Sequence, residues 1–190
     1  MNELLGAIRN DNYAQIIELL ERQSIDQPLW YGFNALLYAV SLNKLESVRL
    51  LLENGADVNY LVAINDFDVV EPIDSDEAED MLVNDPITEE LIGSIQNLGN
   101  VAALHIAVKQ HNYDIVNLLL EYNARTDIAD QGGCTALHWA VAQNQEAIIA
   151  LLLRHNANPN ILDLAGSSPI DEAKRRNVKD ILQLLSSKPN

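Results

Sequence analysis

Four histidines are the residues of this sequence best suited to acid–base or metal chemistry. His105 and His138 lie 33 residues apart in two similar stretches, "AALHIA" and "TALHWA". Two imidazoles repeated in this way could bind a metal ion or act as an acid–base pair. They could instead hydrogen-bond to the backbone of a neighbouring turn, at positions fixed by a repeating structure. We expect this second role for His105 and His138, because the repeat itself fixes their positions. His111 and His155 fall at turn positions of the same repeat and do not converge with the other two.

The other reactive groups do not form a catalytic motif. Cys134 is the only cysteine, which excludes an internal disulfide, and no basic residue beside it in sequence favours a reactive thiolate. The sequence contains no glycine-rich phosphate loop, no HExxH motif and no nucleophile elbow. We therefore expect a protein that is not an enzyme and that uses no cofactor and no metal ion.

The charge balance restricts the class of partner. The net charge is −16 at pH 7, and an acidic surface repels phosphate, so nucleic acid and anionic membranes are not expected partners. The N-terminal residues lack the basic start and apolar run of a secretion signal, and no apolar stretch reaches the ~18 residues of a membrane span. Together with the single cysteine, these features predict a cytoplasmic protein.

The 33-residue spacing extends well beyond the two histidines. An apolar residue followed three positions later by alanine recurs along the chain, and a further apolar residue follows each alanine by nine positions. Spacings of three and four place such residues on one helical face, and a small alanine lets two short helices pack closely. The alanines are Ala7, Ala39, Ala107, Ala140 and Ala173, and the later apolar residues are Ile16, Val48, Val116, Ile149 and Leu182.

Residues that tolerate a left-handed backbone separate these helices. Asparagine and glycine are the usual residues at such turns, because they adopt positive φ at low cost. They predict a helix–turn–helix in each unit. The turns within units fall at Asp11, Asn43, His111, Asn144 and Asn177, and those after the second helix fall at Gly55, Asn123 and Asn156.

Taken together, these motifs resemble the ankyrin repeat, which has a period of 33 residues. The best match is "DQGGCTALHWAVAQNQEAIIALLLRHNANPN". The resemblance implies an all-α solenoid of stacked helix–turn–helix units with β-turn tips, in five to six units including caps. It divides a single domain, 1–190, into an N-terminal cap at 1–27, repeats at 28–60, 99–130 and 131–163, and a C-terminal cap at 164–190. The motif histidine is replaced by Leu37 and Asp171 in two units, which should be less well attached to their neighbours.

Residues 61–98 are the part of the chain that fits the repeat least well. Residues 66–90 contain eleven acidic side chains and no basic one. One interpretation is a looped-out acidic insertion. The other, which the helical stripe ending at Leu98 favours, is a decayed repeat with Ala78 as its packing alanine. The acidic clusters lack the spacing of a calcium loop, yet a cation-binding or enzymatic role centred on 66–90 is an alternative function.

The resemblance also implies where a partner binds, since ankyrin repeats use the turn tips and the inner face of the first helices. Carried over position by position, the partner-binding candidates are Trp30, Tyr31, Phe33, Ser41, Leu42, Val101, Lys109, Gln110, Gln131, Cys134, Ala142, Gln143, Leu164, Ser167, Arg175 and Arg176.

The stretch "LWYGF" places three aromatic residues at a predicted exposed turn. They could anchor a partner, or they could pack over the N-terminal cap. Beside the acidic segment, they suggest a partner with an apolar knob next to a basic surface. The sequence thus predicts a monomeric adaptor or inhibitor of a cytosolic protein. The alternatives are a self-associating structural piece, with these aromatic rings buried in a homodimer, and a bacterial effector directed at a host.

Overall fold

The computed structural model describes residues 3–28, 33–62 and 99–186. The chain forms two compact units, Met1–Ala103 and Leu104–Asn190. The first contains α1 (Glu3–Arg9), α2 (Tyr13–Leu20), α3 (Ala35–Ser41), α4 (Leu45–Glu53), β1 (Leu61–Val62) and β2 (Val101–Ala102). The second contains α5 (Ala103–Lys109, which starts at the boundary), α6 (Tyr113–Glu121), α7 (Ala136–Ala142), α8 (Glu146–Arg154), α9 (Pro169–Arg175) and α10 (Lys179–Ser186).

Helices come in antiparallel pairs, and neighbouring pairs pack side by side. In the first unit α1 contacts α2 and α3, and α3 contacts α4. In the second unit α7 contacts α8 and α9, and α8 contacts α6 and α10. This arrangement confirms the helix–turn–helix solenoid. Within residues 3–28, 33–62 and 99–186, no helix is both long and apolar enough to cross a bilayer.

The repeated alanines hold the helix pairs together. All five are buried, none exposing more than 2% of its surface. Four of the five apolar residues that follow them are fully buried as well. The exception is Leu182, which is half-buried, while Ile181 and Leu185 supply the core of α10.

The predicted turn positions are all left-handed. Each turn within a unit has a φ between 54° and 57°, and the asparagines after α6 and α8 have a φ of 63°. Gly55, after α4, has a φ of 88°. Asparagine, aspartate and histidine therefore end helices here in a conformation that most residues avoid.

Strands β1 and β2 form a short antiparallel ribbon on either side of residues 63–98. Leu61 pairs with Ala102, and Val62 pairs with Val101. The acidic run at 66–90, the packing alanine at Ala78 and the helical stripe up to Leu98 lie outside the described residues.

Candidate functional site

The turn tip at residues 130–135, here called the inner tip, is built around a buried carboxylate. Ala129 pairs with Thr135 across the turn, and Asp130, only 6% exposed, lies between them. Asp130 Oδ1 accepts hydrogen bonds from the backbone N–H groups of Gly132 and Cys134, each at 2.8 Å. This aspartate is not among the site residues predicted from the sequence. The signal was available, because Asp163 occupies the same place one period later.

The two motif histidines connect helices to turn tips: His105 of α5 contacts the inner tip, and His138 of α7 contacts the turn at residues 163–168. His105 Nε2 lies 3.3 Å from the carbonyl oxygen of Cys134, and His138 Nε2 lies 3.3 Å from that of Ser167. A carbonyl only accepts, so Nε2 carries the proton in each ring. His138 Nδ1 in turn accepts from the N–H of Thr135, the N-cap of α7. The expected structural role of the pair is confirmed.

Burial keeps His105 neutral. Loss of solvation lowers the pKa of this imidazole to about 4, although the charge of Asp130 and hydrogen bonds to backbone carbonyls act in the opposite direction. A neutral, fully buried ring that donates a hydrogen bond to a carbonyl oxygen stabilises the fold and is not suited to act as a general base.

Trp139 closes the inner side of this tip. Its Nε1 donates to Asp130 Oδ2 at 3.0 Å, and its ring meets that of His105 edge-on with centroids 5.3 Å apart. Lys109 Nζ lies 6.0 Å from the ring centroid, within the range of a cation–π contact. These contacts place Trp139 of α7 against α5, the first helix of the preceding unit.

Cys134 lies in the same tip with its thiol half-buried. Burial, reinforced by the negative charges of Asp130 and Asp163, raises the pKa of the thiol to about 11. The thiol is therefore protonated at neutral pH. It is a poor nucleophile and a poor metal ligand.

The turn tip at residues 163–168, here called the outer tip, repeats this design. Asp163 Oδ1 accepts from the N–H groups of Ala165 and Ser167 at 2.9 and 2.8 Å. The tips are joined through the backbone, since Leu164 N–H donates to the carbonyl of Gly132 at 2.9 Å. At the start of α9, Ser168 and Asp171 cap the helix reciprocally, and these hydrogen bonds lower the pKa of Asp171.

Two large apolar side chains project from the outer tip. Leu164 is 82% exposed and Leu162 is 59% exposed, more than the other exposed large apolar residues of the described chain. Hydrogen bonds join Asp163 to Ser167 within the outer tip and Leu164 to Gly132 of the inner tip, so these leucines lie in an ordered loop.

Three predicted partner-binding residues are buried, and for them the prediction is wrong. Phe33 is 4% exposed, Ser41 is 1% exposed and Val101 is fully buried in β2. Ser41 Oγ donates to the carbonyl of Tyr38 within α3. Because Phe33 lies in the core, its ring cannot anchor a partner without unfolding the turn. Trp30 and Tyr31 lie outside the described residues.

Other candidates are accessible but also serve the fold. Arg176 Nη1 donates to the carbonyls of Val141 and Ala142 at 3.0 and 2.6 Å, placing its charge at the C-terminal end of α7. Arg175 is exposed and binds Glu172 through one guanidinium edge, with Nε donating to Oε2 at 3.0 Å and Nη2 donating to Oε1 at 2.7 Å. The remaining candidates are exposed or half-buried: Leu42, Lys109, Gln110, Gln131, Cys134, Ala142, Gln143, Leu164 and Ser167.

Comparison with known families agrees with this architecture. The family description "Ankyrin repeats (3 copies)" matches residues 81–163, and "Ankyrin repeat" matches residues 31–62, so that together they cover more than half of the chain. The chain belongs to the ankyrin-repeat family. Ankyrin repeats are protein–protein interaction modules.

One curated relative is similar over a short segment. It is the ankyrin repeat, SAM and basic leucine zipper domain-containing protein 1 of Ovis aries, 36% identical over 55 residues. The segment covers 28% of this chain and 12% of the sheep protein.

Proposed function

We propose that this protein is a non-catalytic adaptor or inhibitor that binds a cytosolic protein along its tips and the exposed ends of its first helices. The observation that carries the proposal is the pair of leucines at the outer tip. Leu164 exposes four-fifths of its surface to solvent although the loop around it is ordered. Burying such a side chain gains about 1.5–3 kcal/mol, which a partner's apolar surface can supply.

Order in the free protein strengthens this argument. A loop already held by backbone hydrogen bonds loses little conformational entropy on binding, so more of the burial energy appears as affinity. The inner tip adds exposed polar surface at Gln131, and α9 adds exposed side chains at Lys174 and Arg175. An apolar centre with a polar rim is the usual anatomy of a protein interface.

Charge defines the partner further. The chain has 28 acidic and 12 basic residues, so a partner with basic groups around its apolar contact is attracted over a distance. We therefore propose a partner whose apolar knob lies beside a basic surface, bound by a cytoplasmic monomer. Raising the salt concentration should slow association more than it speeds dissociation.

The described residues support a role without catalysis. His105 is neutral and buried, and the thiol of Cys134 is protonated at neutral pH. Among residues 3–28, 33–62 and 99–186, no three His, Cys, Asp or Glu side chains come together as a metal site requires. Calorimetric titration of the whole chain with calcium, magnesium and zinc tests a cation role for the acidic segment, and tight stoichiometric binding would contradict a purely protein-binding role.

The binding surface is tested with a double substitution. Leu162→Ser with Leu164→Ser removes the exposed leucines and should weaken capture of the partner by at least tenfold, with the melting temperature unchanged within about 2 °C, because neither side chain is buried. The measurement is a pull-down with the wild-type chain, identification of the bound protein by mass spectrometry, and titration of that protein by interferometry.

The control is Ile17→Ser, which removes an exposed apolar side chain (45%) on α2, away from the tips. We expect it to bind like the wild type. Equal binding by all three proteins would place the interface elsewhere and contradict the proposal.

A further inference from the structure

A small cavity lies at the start of α8, within the second compact unit. It has a volume of about 210 Å³ and is lined by His111, Tyr113, Gln145, Glu146, Ala147 and Ile148. A water molecule takes up about 30 Å³, so this volume suits a small polar group and not a large ligand. The seven residues of α7 lie along the chain between the inner tip and this cavity, which is therefore not part of the turn tips.

Two backbone N–H groups in the first turn of α8 have no acceptor in the described chain. The N–H groups of Gln145 and Glu146 donate to carbonyls of preceding residues, but no backbone hydrogen bond of the described residues uses those of Ala147 or Ile148. No side chain caps this helix either. Helices normally satisfy such N–H groups with a cap, with water or with a ligand. Because Ala147 and Ile148 both line the cavity, an acceptor placed in it can serve them.

Helix α6 shows which group fills this position elsewhere in the protein. Asn112 lies one 33-residue period before Gln145, and its Oδ1 accepts from the N–H of Ile115 at 3.0 Å. Gln145 is one methylene longer and does not make this bond, since its Nε2 donates to the carbonyl of Val108 in α5 at 2.8 Å. Ile148, the counterpart of Ile115, is left without a cap. A carboxamide oxygen is therefore the natural acceptor for this site.

The side chain of Gln145 also leaves an acceptor without a donor. Its Nε2 donates to two oxygen atoms, the carbonyl of Val108 and Oε1 of Gln143, which fixes the orientation of the amide. Gln145 is only 8% exposed, and its Oε1 has no hydrogen-bond partner in the described chain. A buried oxygen without a donor is costly. Since Gln145 lines the cavity, a donor bound there is suited to satisfy it.

The cavity thus calls for a ligand that accepts and donates hydrogen bonds through neighbouring atoms. A carboxylate accepts but cannot donate, and the charge of Glu146 at the cavity repels it. An ammonium group donates but cannot accept, and the positive end of the helix dipole disfavours it. A carboxamide carries an acceptor and a donor on one carbon atom and has no charge.

We propose that this cavity binds the side-chain carboxamide of a glutamine or asparagine from another polypeptide. The amide oxygen accepts from the N–H groups of Ala147 and Ile148, and the amide nitrogen donates to Oε1 of Gln145. Arg154 Nη2 lies 3.4 Å from the hydroxyl of Tyr113 and holds the phenol ring at the cavity. A polypeptide is the source because ankyrin repeats bind proteins. The site does not depend on what the turn tips bind.

NMR titration of the isotope-labelled full-length chain with N-acetylglutamine methylamide tests the proposal. We expect saturable changes in the amide signals of Ala147 and Ile148. The signal of Ile115 is an internal control and should stay unchanged, because Asn112 already caps that N–H. N-acetylalanine methylamide lacks the side-chain amide and should leave all these signals unchanged. No change with the glutamine probe, or equal changes with both probes, would overturn the proposal.

Charged probes test the selectivity for an amide. N-acetylglutamate methylamide and N-acetyllysine methylamide have the same backbone as the glutamine probe, and at neutral pH they should bind at least about tenfold more weakly, since each lacks one of the two hydrogen bonds. Binding of the glutamate probe as tightly as the glutamine probe would reveal an ordinary anion site. Equally tight binding of the lysine probe would reveal simple attraction to acidic groups. Either result would overturn the proposal.

A substitution at Gln145 tests the missing cap directly. Gln145→Asn introduces into α8 the residue that caps α6, so its own amide should occupy the N–H of Ile148 and weaken binding of the glutamine probe by about tenfold or more. A folded variant that binds the probe like the wild type would overturn the proposal. Should the variant unfold, the selectivity of the wild-type chain among the probes still decides.

The matched control is Glu146→Gln, at the exposed neighbouring position. It removes the charge at the cavity and should leave the affinity for the uncharged glutamine probe within about twofold of the wild type. A loss of about tenfold in this variant would show that binding depends on the charge of Glu146 and would contradict recognition of a neutral amide.

Discussion

The inner tip and the outer tip share one hydrogen-bonding scheme but differ in what lies against them. In both, an aspartate binds two backbone N–H groups and a glycine adopts a φ of 78°. A Cβ added to Gly133 would lie 2.8 Å from the backbone nitrogen of Leu164, whereas a Cβ added to Gly166 would meet no atom of the described chain within 4 Å. The inner tip is therefore packed on both sides, and the outer tip faces open space.

The side chains above each tip follow the same difference. His138, at the third position of α7, caps its own helix and also reaches the next tip. Asp171, at the third position of α9, caps its own helix with Ser168 and pairs with Lys174 of the same helix at 3.5 Å. The third helical position thus differs between the two units: in α7 His138 contacts the following turn tip, and in α9 Asp171 contacts the start of its own helix. The surface of the outer tip, which no other described unit covers, carries the exposed side chains of Leu162 and Leu164.

The largest expected difference in stability between the two tips concerns alanine substitutions at Gly133 and Gly166. Alanine at either position is strained by positive φ at about 1–2 kcal/mol, but Gly133→Ala also forces two backbones apart, at about 2 kcal/mol more. We expect losses in the free energy of unfolding of about 3.5 kcal/mol for Gly133→Ala and about 1.5 kcal/mol for Gly166→Ala. Urea denaturation measures both, and equal losses would mean that the tips are not packed differently.

Acid should weaken the attachment of the inner tip. The pKa of His105 is about 4 in the folded chain and about 6.5 in the unfolded chain, so between these values the unfolded state binds more protons. Stability from this group is complete above pH 6.5 and falls by about 3 kcal/mol as the pH drops to 4. His105→Gln keeps a donor but does not titrate. If the variant shows the same fall between pH 7 and pH 4 as the wild type, other groups cause it.

Substitutions at the third helical position test the contrast between α7 and α9. His138→Ala leaves the Thr135 N–H and the Ser167 carbonyl without this ring, and we expect it to lower the free energy of unfolding by about 2 kcal/mol. Asp171→Ala removes a solvent-exposed cap and should cost clearly less. A loss for Asp171→Ala as large as that for His138→Ala would indicate that α9 supports a contact beyond its own cap.

The smallest effect on stability concerns Cys134, where reactivity is the useful measurement. With the pKa raised from 9.0 to about 11, the thiolate fraction at pH 8 falls by about 100-fold. Alkylation by iodoacetamide should slow by a similar factor relative to an exposed thiol. The control is Ser186→Cys in a Cys134→Ser background, since Ser186 is exposed at the end of α10. Equal rates would show that the inner tip opens readily.

Much of the fold could be predicted from sequence because it depends on local, repeated features. Alanine spacing and left-handed turn residues act within one helix pair, so their positions were predicted correctly. The aromatic turn was harder, because whether Phe33 points into the core depends on how the turn packs. Asp130 was missed because its partners are backbone N–H groups and a tryptophan nine residues away, which leave no pattern within one repeat, and only the recurrence of an aspartate at Asp163 marks the position.

The binding surface was the least predictable part. Positions carried over from a repeat family identify the face of a unit, but exposure depends on the neighbouring layers. Val101 occupies a tip position and is buried because β2 pairs with β1, whereas Leu164 occupies a tip position and is exposed because no described residue covers it. The distinction requires the tertiary structure.

The β1–β2 ribbon also joins parts of this chain that are far apart in sequence. Leu61 pairs with Ala102, 41 positions later, whereas the pairing at the inner tip joins Ala129 and Thr135, six positions apart. Bringing more distant positions together costs more chain entropy, so the ribbon should form later in folding than the inner tip.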